Sequence, residues 1–135
     1  MGAFDAIGVA GTGVATYRKW LDAVADNMAN LNTARRTDEN AFQARSIVVQ
    51  PVNYGEIPGG VQVVGAAFGD PAGRLVNDPA HPLADAQGMV RYPDIDLASQ
   101  MTQLLMAQRG YQANLAVVDR AREAYQAALA LGRGA

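Results

Sequence analysis

The sequence predicts a mainly α-helical protein with a small β-rich middle, in which an N-terminal and a C-terminal helix pair as an antiparallel coiled coil. At both ends of the 135-residue chain, apolar residues recur at alternating steps of three and four, the spacing at which two helices pack along a seam. Between these segments the apolar period shortens to two, and five of the six prolines lie between Pro51 and Pro82. This pattern is typical of strands and turns.

Residues 4–32 form the first predicted helix. Glycines at positions 8, 11 and 13 weaken it, because each costs about 1 kcal/mol relative to alanine in a helix interior. We therefore expect this helix to depend on a partner. Its uninterrupted apolar seam consists of Ile7, Ala10, Val14, Tyr17, Leu21, Val24, Met28 and Leu31.

Three asparagines, Asn27, Asn30 and Asn32, follow one another closely where this helix should end. Asparagine tolerates the left-handed backbone conformation and bonds to nearby backbone groups, so these residues are suited to a helix exit. Their amides both donate and accept hydrogen bonds, so they are equally suited to bridge a neighbouring chain. The sequence leaves both interpretations open.

The middle of the chain, residues 34–93, is predicted to be β-rich or irregular. Residues 44–49 and 61–68 are rich in β-forming side chains, and the segment between them contains Pro51, Pro58 and several glycines. We expect a hairpin with a long connection. From Asp70 to Gly88, prolines and turn residues are so dense that only short extended pieces fit. The predicted organisation is residues 1–33, 34–93 and 94–135.

The second predicted helix starts after Asp94 and Asp96, which can cap it, and ends at Gly132 and Gly134. It would be roughly 55 Å long, more than a globule of this size needs. Two polar residues, Gln108 and Arg122, interrupt a seam that we expect to face the first helix. That seam is Leu97, Met101, Leu104, Gln108, Tyr111, Leu115, Val118, Arg122, Tyr125 and Leu129.

The composition argues against several function classes. A net charge of −2 with 11 basic and 13 acidic residues gives no basic surface for nucleic acid or anionic membranes. Without cysteine, and with His81 the only histidine, no nucleophile–base pair is recognisable, so we expect no enzyme and no cofactor. Asp78, His81 and Asp85 could hold a metal ion, but His81 is more simply a turn residue between prolines.

Three stretches resemble the signatures of bacterial flagellar axial proteins, the rod, hook and hook-filament junction subunits. The first is Phe4-Asp5, Ala10-Gly11 and Leu21 followed by the Asn-rich segment 27–33, and the second is Arg109-Gly110-Tyr111-Gln112-Ala113-Asn114. The third, residues 74–96, contains Asp78-Pro79-Ala80-His81-Pro82-Leu83-Ala84-Asp85 and is similar to the proximal rod subunits of that family.

The resemblance implies a structural subunit of the flagellar basal body that is exported without signal cleavage through the type III flagellar export apparatus. Such a subunit polymerises through its terminal helices into the hollow, periplasm-spanning rod that transmits torque for motility. Its partners would be further copies and other rod proteins, with FlgB, FlgF and FliE as neighbours, and neither nucleic acid nor membrane insertion is expected. The inter-subunit residues carried over are Asn27, Asn30, Asn32, Tyr111, Gln112 and Asn114. The alternatives are a soluble coiled-coil adaptor or export chaperone, and the metal-dependent enzyme at His81.

Overall fold

The computed structural model describes residues 2–134 and confirms the predicted fold class. Within these residues, no helix combines the length and apolar character needed to cross a lipid bilayer. The elements in chain order are helix α1 (Ala3–Ala29), strands β1 (Arg45–Tyr54), β2 (Ile57–Phe68), β3 (Arg74–Asn77) and β4 (Met89–Tyr92), and helix α2 (Leu97–Arg133).

Helix α1 buries or half-buries every predicted seam residue that it contains. It ends at Ala29, three residues before the predicted end, and the Asn30 side chain forms hydrogen bonds on both sides of this end. The Asn30 amide donates to the Asp26 carbonyl at 2.9 Å, and its oxygen accepts from the Thr33 hydroxyl at 3.1 Å. The helix-exit interpretation is therefore confirmed for Asn30.

Strands β1 and β2 pair in a two-stranded sheet. The predicted long connection is wrong: Gly55 and Glu56 alone join the strands, and Gly55 has the positive φ of 66° that tight turns require. Both strands continue through prolines 51 and 58. A two-stranded sheet tolerates them because each strand has a free edge, where a missing N–H breaks no ladder hydrogen bond.

Helix α2 begins where it was predicted, and Asp96 caps it by accepting a hydrogen bond from the Ser99 backbone N–H at 3.0 Å. The two helices are antiparallel. Early residues of α1 meet late residues of α2: the rings of Phe4 and Tyr125 lie 4.8 Å apart, and further along α1 the Tyr17 ring lies against Gly110.

Most of the predicted α2 seam is wrong. Leu104, Tyr111 and Val118 are half-buried as expected, but the other seven of its ten residues are exposed: Leu97, Met101, Gln108, Leu115, Arg122, Tyr125 and Leu129. Their places on the covered face are taken by smaller or polar residues, Gln100, Ala107 and Asn114. The reason is steric, since glycines of both helices allow an approach that large side chains would prevent.

The contacts divide the described residues into two compact units. Unit 1 comprises residues 2–21, 48–65 and 105–134, and unit 2 comprises residues 22–47 and 66–104. Each therefore contains parts of both helices and of the β1–β2 hairpin.

Unit 2 is organised around the short β3–β4 hairpin, whose strands pair antiparallel with Val76 opposite Val90. Val90 is fully buried, as is Val24 of α1. Arg91 exchanges two backbone hydrogen bonds with Arg35, at 2.8 and 3.0 Å, and its guanidinium donates to the carbonyls of Thr37 and Ala72. One arginine thereby fixes two irregular segments to the hairpin.

Candidate functional site

The helix–helix contact of unit 1 is made by small residues. Gly13 is buried beneath the Asn114 side chain, and Gly110 lies beneath the Tyr17 ring. In both places an added Cβ would overlap the opposing side chain. Two alanines close to these glycines in sequence, Ala10 in α1 and Ala107 in α2, are also buried. The helices of this unit thus approach closely and bury little large apolar surface.

Large apolar side chains of α2 consequently remain in solvent. Leu115, one of the predicted seam residues, is 38% exposed. Three further large apolar side chains in the middle of α2 are more exposed than Leu115. We call these four side chains the exposed α2 set: Leu105, Met106, Leu115 and Val117. Burying side chains of this size contributes about 1.5–3 kcal/mol each, so a partner that covers them would be stabilising.

The end of α2 extends beyond the contact with α1. Tyr125 meets Phe4 in the first turn of α1, and α2 continues for two further turns. From Arg122 to Gly134 every described residue is exposed, with Leu131 at 79%. We call residues 126–133 the α2 tail. An isolated helical end of this length is marginal in water and gains from a partner.

A groove lies between the start of α1 and the tip of the β1–β2 hairpin. Its position is fixed by Thr12, whose hydroxyl accepts a hydrogen bond from the Val61 backbone N–H at 3.1 Å and donates to the Val9 carbonyl at 2.6 Å. Gly60, with φ of 102°, lies directly against Thr12. The groove has a volume of about 640 Å³ and is lined by Phe4, Asp5, Gly8, Val9, Thr12, Tyr54, Glu56, Ile57, Pro58 and Gly59. We call it the tip groove.

Asn27 occupies a buried polar cluster in unit 2. It is 2% exposed, and its amide donates to the Arg45 carbonyl at 2.9 Å and to the Gln100 side-chain oxygen at 3.1 Å. Its own oxygen accepts from the Arg45 backbone N–H at 2.8 Å. Arg45 also forms an ion pair with Asp26 at 2.9 Å. The end of α1, the start of β1 and the start of α2 are therefore joined through one asparagine.

The other predicted assembly residues differ in exposure. Asn32 and Gln112 are exposed, whereas Asn30 and Tyr111 are half-buried. Asn114 is half-buried, donates to the Gly110 carbonyl at 2.8 Å and covers Gly13. Asn32 and Gln112 are thus presented to solvent in a single chain, while Asn27 and Asn114 make contacts within it.

The segment from Asp78 to Gly88 is a set of hydrogen-bonded turns. The Asp85 carboxylate accepts from the backbone N–H groups of Met89 and Gln87, each at 2.9 Å, and from the Thr37 hydroxyl at 2.9 Å. The Met89 hydrogen bond is the main reason that the pKa of the Asp85 carboxyl lies below its usual value, with Thr37 and Gln87 adding to the effect.

His81 belongs to the same turns. Its backbone N–H donates to the Asp78 carbonyl at 3.0 Å, and its Nδ1 accepts from the Leu83 backbone N–H at 3.1 Å. Among residues 2–134, no three histidine, aspartate or glutamate side chains are grouped so as to hold a metal ion. The oxygens of Asp85 and the Nδ1 of His81 accept hydrogen bonds from the backbone and from the Thr37 hydroxyl, which favours the turn interpretation over the metal-site alternative.

Sequence reasoning missed the exposed α2 set and the tip groove. The signal for the first was present, because Leu115 lay on the predicted heptad seam and was assigned to the contact with α1. The signal for the groove was weaker. It depends on a close approach of Gly60 to Thr12, residues that are far apart in the chain and carry no motif.

Comparisons with known proteins place these features in a family. Residues 86–131 match the family model described as the flagellar basal body rod FlgEFG protein C-terminal region. The flagellar basal-body rod protein FlgC of Yersinia enterocolitica is 35% identical over 93% of this chain and 94% of its own length. Its counterpart in Salmonella typhimurium is 32% identical over the same shares. The FlgC of Borreliella burgdorferi is 30% identical over 99% of this chain and its whole length.

Proposed function

The chain belongs to the FlgC family of flagellar basal-body rod proteins, and from this premise we propose that it polymerises through its terminal helices into the hollow shaft of the bacterial rod. It is a structural subunit of the flagellar basal body. Relatives in this family are rod proteins and not enzymes, and the comparisons give no support to a soluble adaptor or export chaperone.

The single observation that carries the polymerisation proposal is the exposure of the α2 set. The helices of unit 1 pack closely through Gly13 and Gly110. This packing leaves the exposed α2 set, which includes Leu115, in solvent. Isolated exposed apolar residues are normal, whereas several along one helix indicate a surface that another protein covers. A rod built from packed subunits supplies that cover.

The finer assignments follow from the resemblance and are part of the same proposal. Residues 1–33 and 94–135 would line the inner tube, and residues 34–93 would pack outside against neighbours. Further copies, FlgB, FlgF and FliE are the proposed neighbours, and the subunit would reach the periplasm through the flagellar export apparatus without cleavage. Its work there is to transmit torque.

The six predicted assembly residues divide into two groups within this proposal. Asn32, Tyr111 and Gln112 would contact neighbouring subunits directly, as their exposed or half-exposed positions allow. Asn27, Asn30 and Asn114 make hydrogen bonds within the chain and would hold the helices in the form that neighbours recognise.

A matched pair of charge insertions tests the role of the exposed α2 set. Leu115→Glu places a carboxylate where we propose that a neighbouring subunit packs, whereas Ala15→Glu places the same charge at an exposed position of α1, one turn before Arg18 and Lys19. Because an unpaired charge in an apolar interface is strongly unfavourable, we expect Leu115→Glu to lower incorporation into basal bodies by at least about tenfold. Swimming should be lost with it.

The control variant should incorporate and swim like the parent chain. Both variants should have unfolding free energies within about 0.5 kcal/mol of the parent, because both sites are exposed in the single chain. Incorporation is measured by quantitative blotting of purified basal bodies from a strain that lacks the native gene. Equal incorporation of both variants would remove the basis for this surface.

A further inference from the structure

We propose that the tip groove of one copy receives the α2 tail of a second copy, so that subunits join head to tail. This inference rests on the proposed function and names a partner surface for it. The groove and the tail are separate patches of unit 1. A contact between different patches of identical chains is heterologous, and its repetition produces rings or helical filaments.

The groove has the composition of a site for an apolar segment with one positive charge. Phe4, Ile57 and Pro58 supply apolar surface, and Phe4 and Ile57 are among the most exposed large apolar residues of the described chain. Two carboxylates, Asp5 and Glu56, line the same groove, and its described lining contains no lysine or arginine. Gly8 also lines the groove, and no atom lies within 4 Å of the place of an added Cβ, so a helix can approach the backbone there.

The α2 tail has the matching composition. Residues 126–133 contain two leucines and four small residues, and Arg133 is the single charged residue among them. Leu129 and Leu131 are exposed. The groove volume of about 640 Å³ lies within the range of about 300–1,000 Å³ typical of binding pockets, enough for leucine side chains.

A second copy is the favoured occupant for two reasons. The described groove lining comes from α1 and the hairpin tip, with no α2 residue among it, so the chain's own tail does not line it. The charges are also complementary, because Arg133 can approach Glu56 at the groove rim while Leu129, four residues earlier on the same helix face, covers the apolar lining. Complementary charge of this kind mainly sets partner choice and orientation.

Single-cysteine variants test the contact, because the chain has no cysteine of its own. Cells without the native gene would produce one chain carrying Ile57→Cys together with a second chain carrying Leu129→Cys, on the same helix face as Arg133. Basal bodies are purified, oxidised mildly and analysed on non-reducing gels. Since each chain has one cysteine, no intramolecular disulfide can form. The matched control replaces Ile57→Cys with Phe68→Cys, an exposed apolar residue outside the groove.

We expect a disulfide-linked dimer from the Ile57→Cys and Leu129→Cys pair, none from either chain alone and none from the Phe68→Cys pair. A dimer from the control pair in equal yield would overturn the proposal, as would a product with the mass of a different rod protein. Cysteine chains that are present in basal bodies but never cross-link would also overturn it, while leaving the proposed function intact. Absence of the parent chain from basal bodies would instead contradict the proposed function.

Charge reversal provides a second measurement that needs no cross-link. Glu56→Arg and Arg133→Glu should each lower incorporation by about two- to fivefold, the effect of losing one exposed ion pair. The double variant should recover toward the parent value, because the pair is restored with opposite polarity. Asp119→Arg, at an exposed residue of α2 outside the groove, is the control and should incorporate normally. A double variant no better than the single variants would argue against the contact.

Discussion

The two units of this subunit are stabilised by different means. Unit 2 has valines, a proline and a hydrogen-bonded asparagine–glutamine pair in its interior, and the arginine at position 91 connects its irregular segments to the β3–β4 hairpin. Unit 1 buries mainly alanine and glycine between its helices. Most of the exposed large apolar side chains of the described chain belong to unit 1, while unit 2 contributes Phe68, Leu75, Leu97 and Met101.

This difference indicates which unit can be stably folded in the free subunit. In unit 2, the buried Asn27 and Gln100 side chains are hydrogen-bonded within the chain, which favours one arrangement of the unit. The Nε atoms of Arg45 and Arg91 are the buried side-chain polar atoms that lack a partner in the described chain. In unit 1, the close helix contact leaves apolar surface and a helical end that other chains can cover. We therefore expect unit 2 to be stable in the free subunit and unit 1 to gain most from assembly.

Backbone hydrogen exchange should show the largest difference between the units. In the free chain, amides of residues 122–133 should exchange fast, because every side chain there is exposed and a short helical end is marginal in water. In purified basal bodies they should slow by at least about a hundredfold as neighbours cover them. Amides of β3 and β4 serve as the internal control and should change little. Equal protection of the tail in both states would mean that it does not depend on assembly.

Replacing Asn27 should destabilise unit 2 more than any surface change. Asn27→Ala leaves the Arg45 backbone N–H and carbonyl and the Gln100 side-chain oxygen without their partner. We expect a loss of about 2–4 kcal/mol in the free energy of unfolding, measured by urea denaturation. Asn32→Ala, at an exposed asparagine five residues on, should change it by less than about 0.5 kcal/mol. A small effect at Asn27 would show that water replaces these hydrogen bonds.

Two glycine substitutions should have opposite signs in unit 1. Gly110→Ala places a methyl group against the Tyr17 ring and should cost about 1–2 kcal/mol. Gly11→Ala, with open space around the added Cβ, should stabilise α1 by about 0.5–1 kcal/mol because alanine is the better helix former. Thermal unfolding followed by circular dichroism measures both. If both substitutions stabilise the chain, the close helix approach at Gly110 is not needed for folding.

The smallest expected effect is the acid sensitivity of the turns around Asp85. Hydrogen bonds from Met89, Thr37 and Gln87 lower the pKa of this carboxyl below 3.8, so the unfolded chain takes up the proton at a higher pH than the folded chain. The resulting stabilisation is complete above pH 3.8 and is lost as the pH falls through the lower folded pKa.

Asp85→Asn should remove this pH dependence and destabilise the turns at neutral pH, because a neutral amide oxygen accepts the Gln87 and Met89 hydrogen bonds less strongly and the NH2 group cannot accept from the Thr37 hydroxyl. Thr37→Val, which removes one donor, should have a smaller effect in the same direction. The urea midpoint measured from neutral to acidic pH distinguishes the variants. A midpoint for Asp85→Asn that follows the parent at every pH would show that other groups control acid unfolding.

Local pattern was enough to predict the terminal helices and the start of α2 at Leu97, while it left the role of Asn30 open between a helix exit and a contact with a neighbouring chain. These features depend on periodicity and on hydrogen bonds between residues a few positions apart, which one sequence displays directly. The resemblance in residues 74–96 and 109–114 indicated the axial protein family, which the comparisons confirm.

Tertiary structure alone decided which face of α2 meets α1, how short the hairpin turn is and where a groove forms. Heptad spacing places Leu104 and Leu115 on one predicted seam, but the close approach of the helices at Gly13 and Gly110 leaves Leu104 half-buried and Leu115 exposed. In the sequence, Pro51 and Pro58 indicate a loop. They lie within strands because the sheet has only two strands, each with a free edge that tolerates proline. Such outcomes depend on distances between residues remote in the chain, and helix periodicity cannot encode how closely two backbones approach.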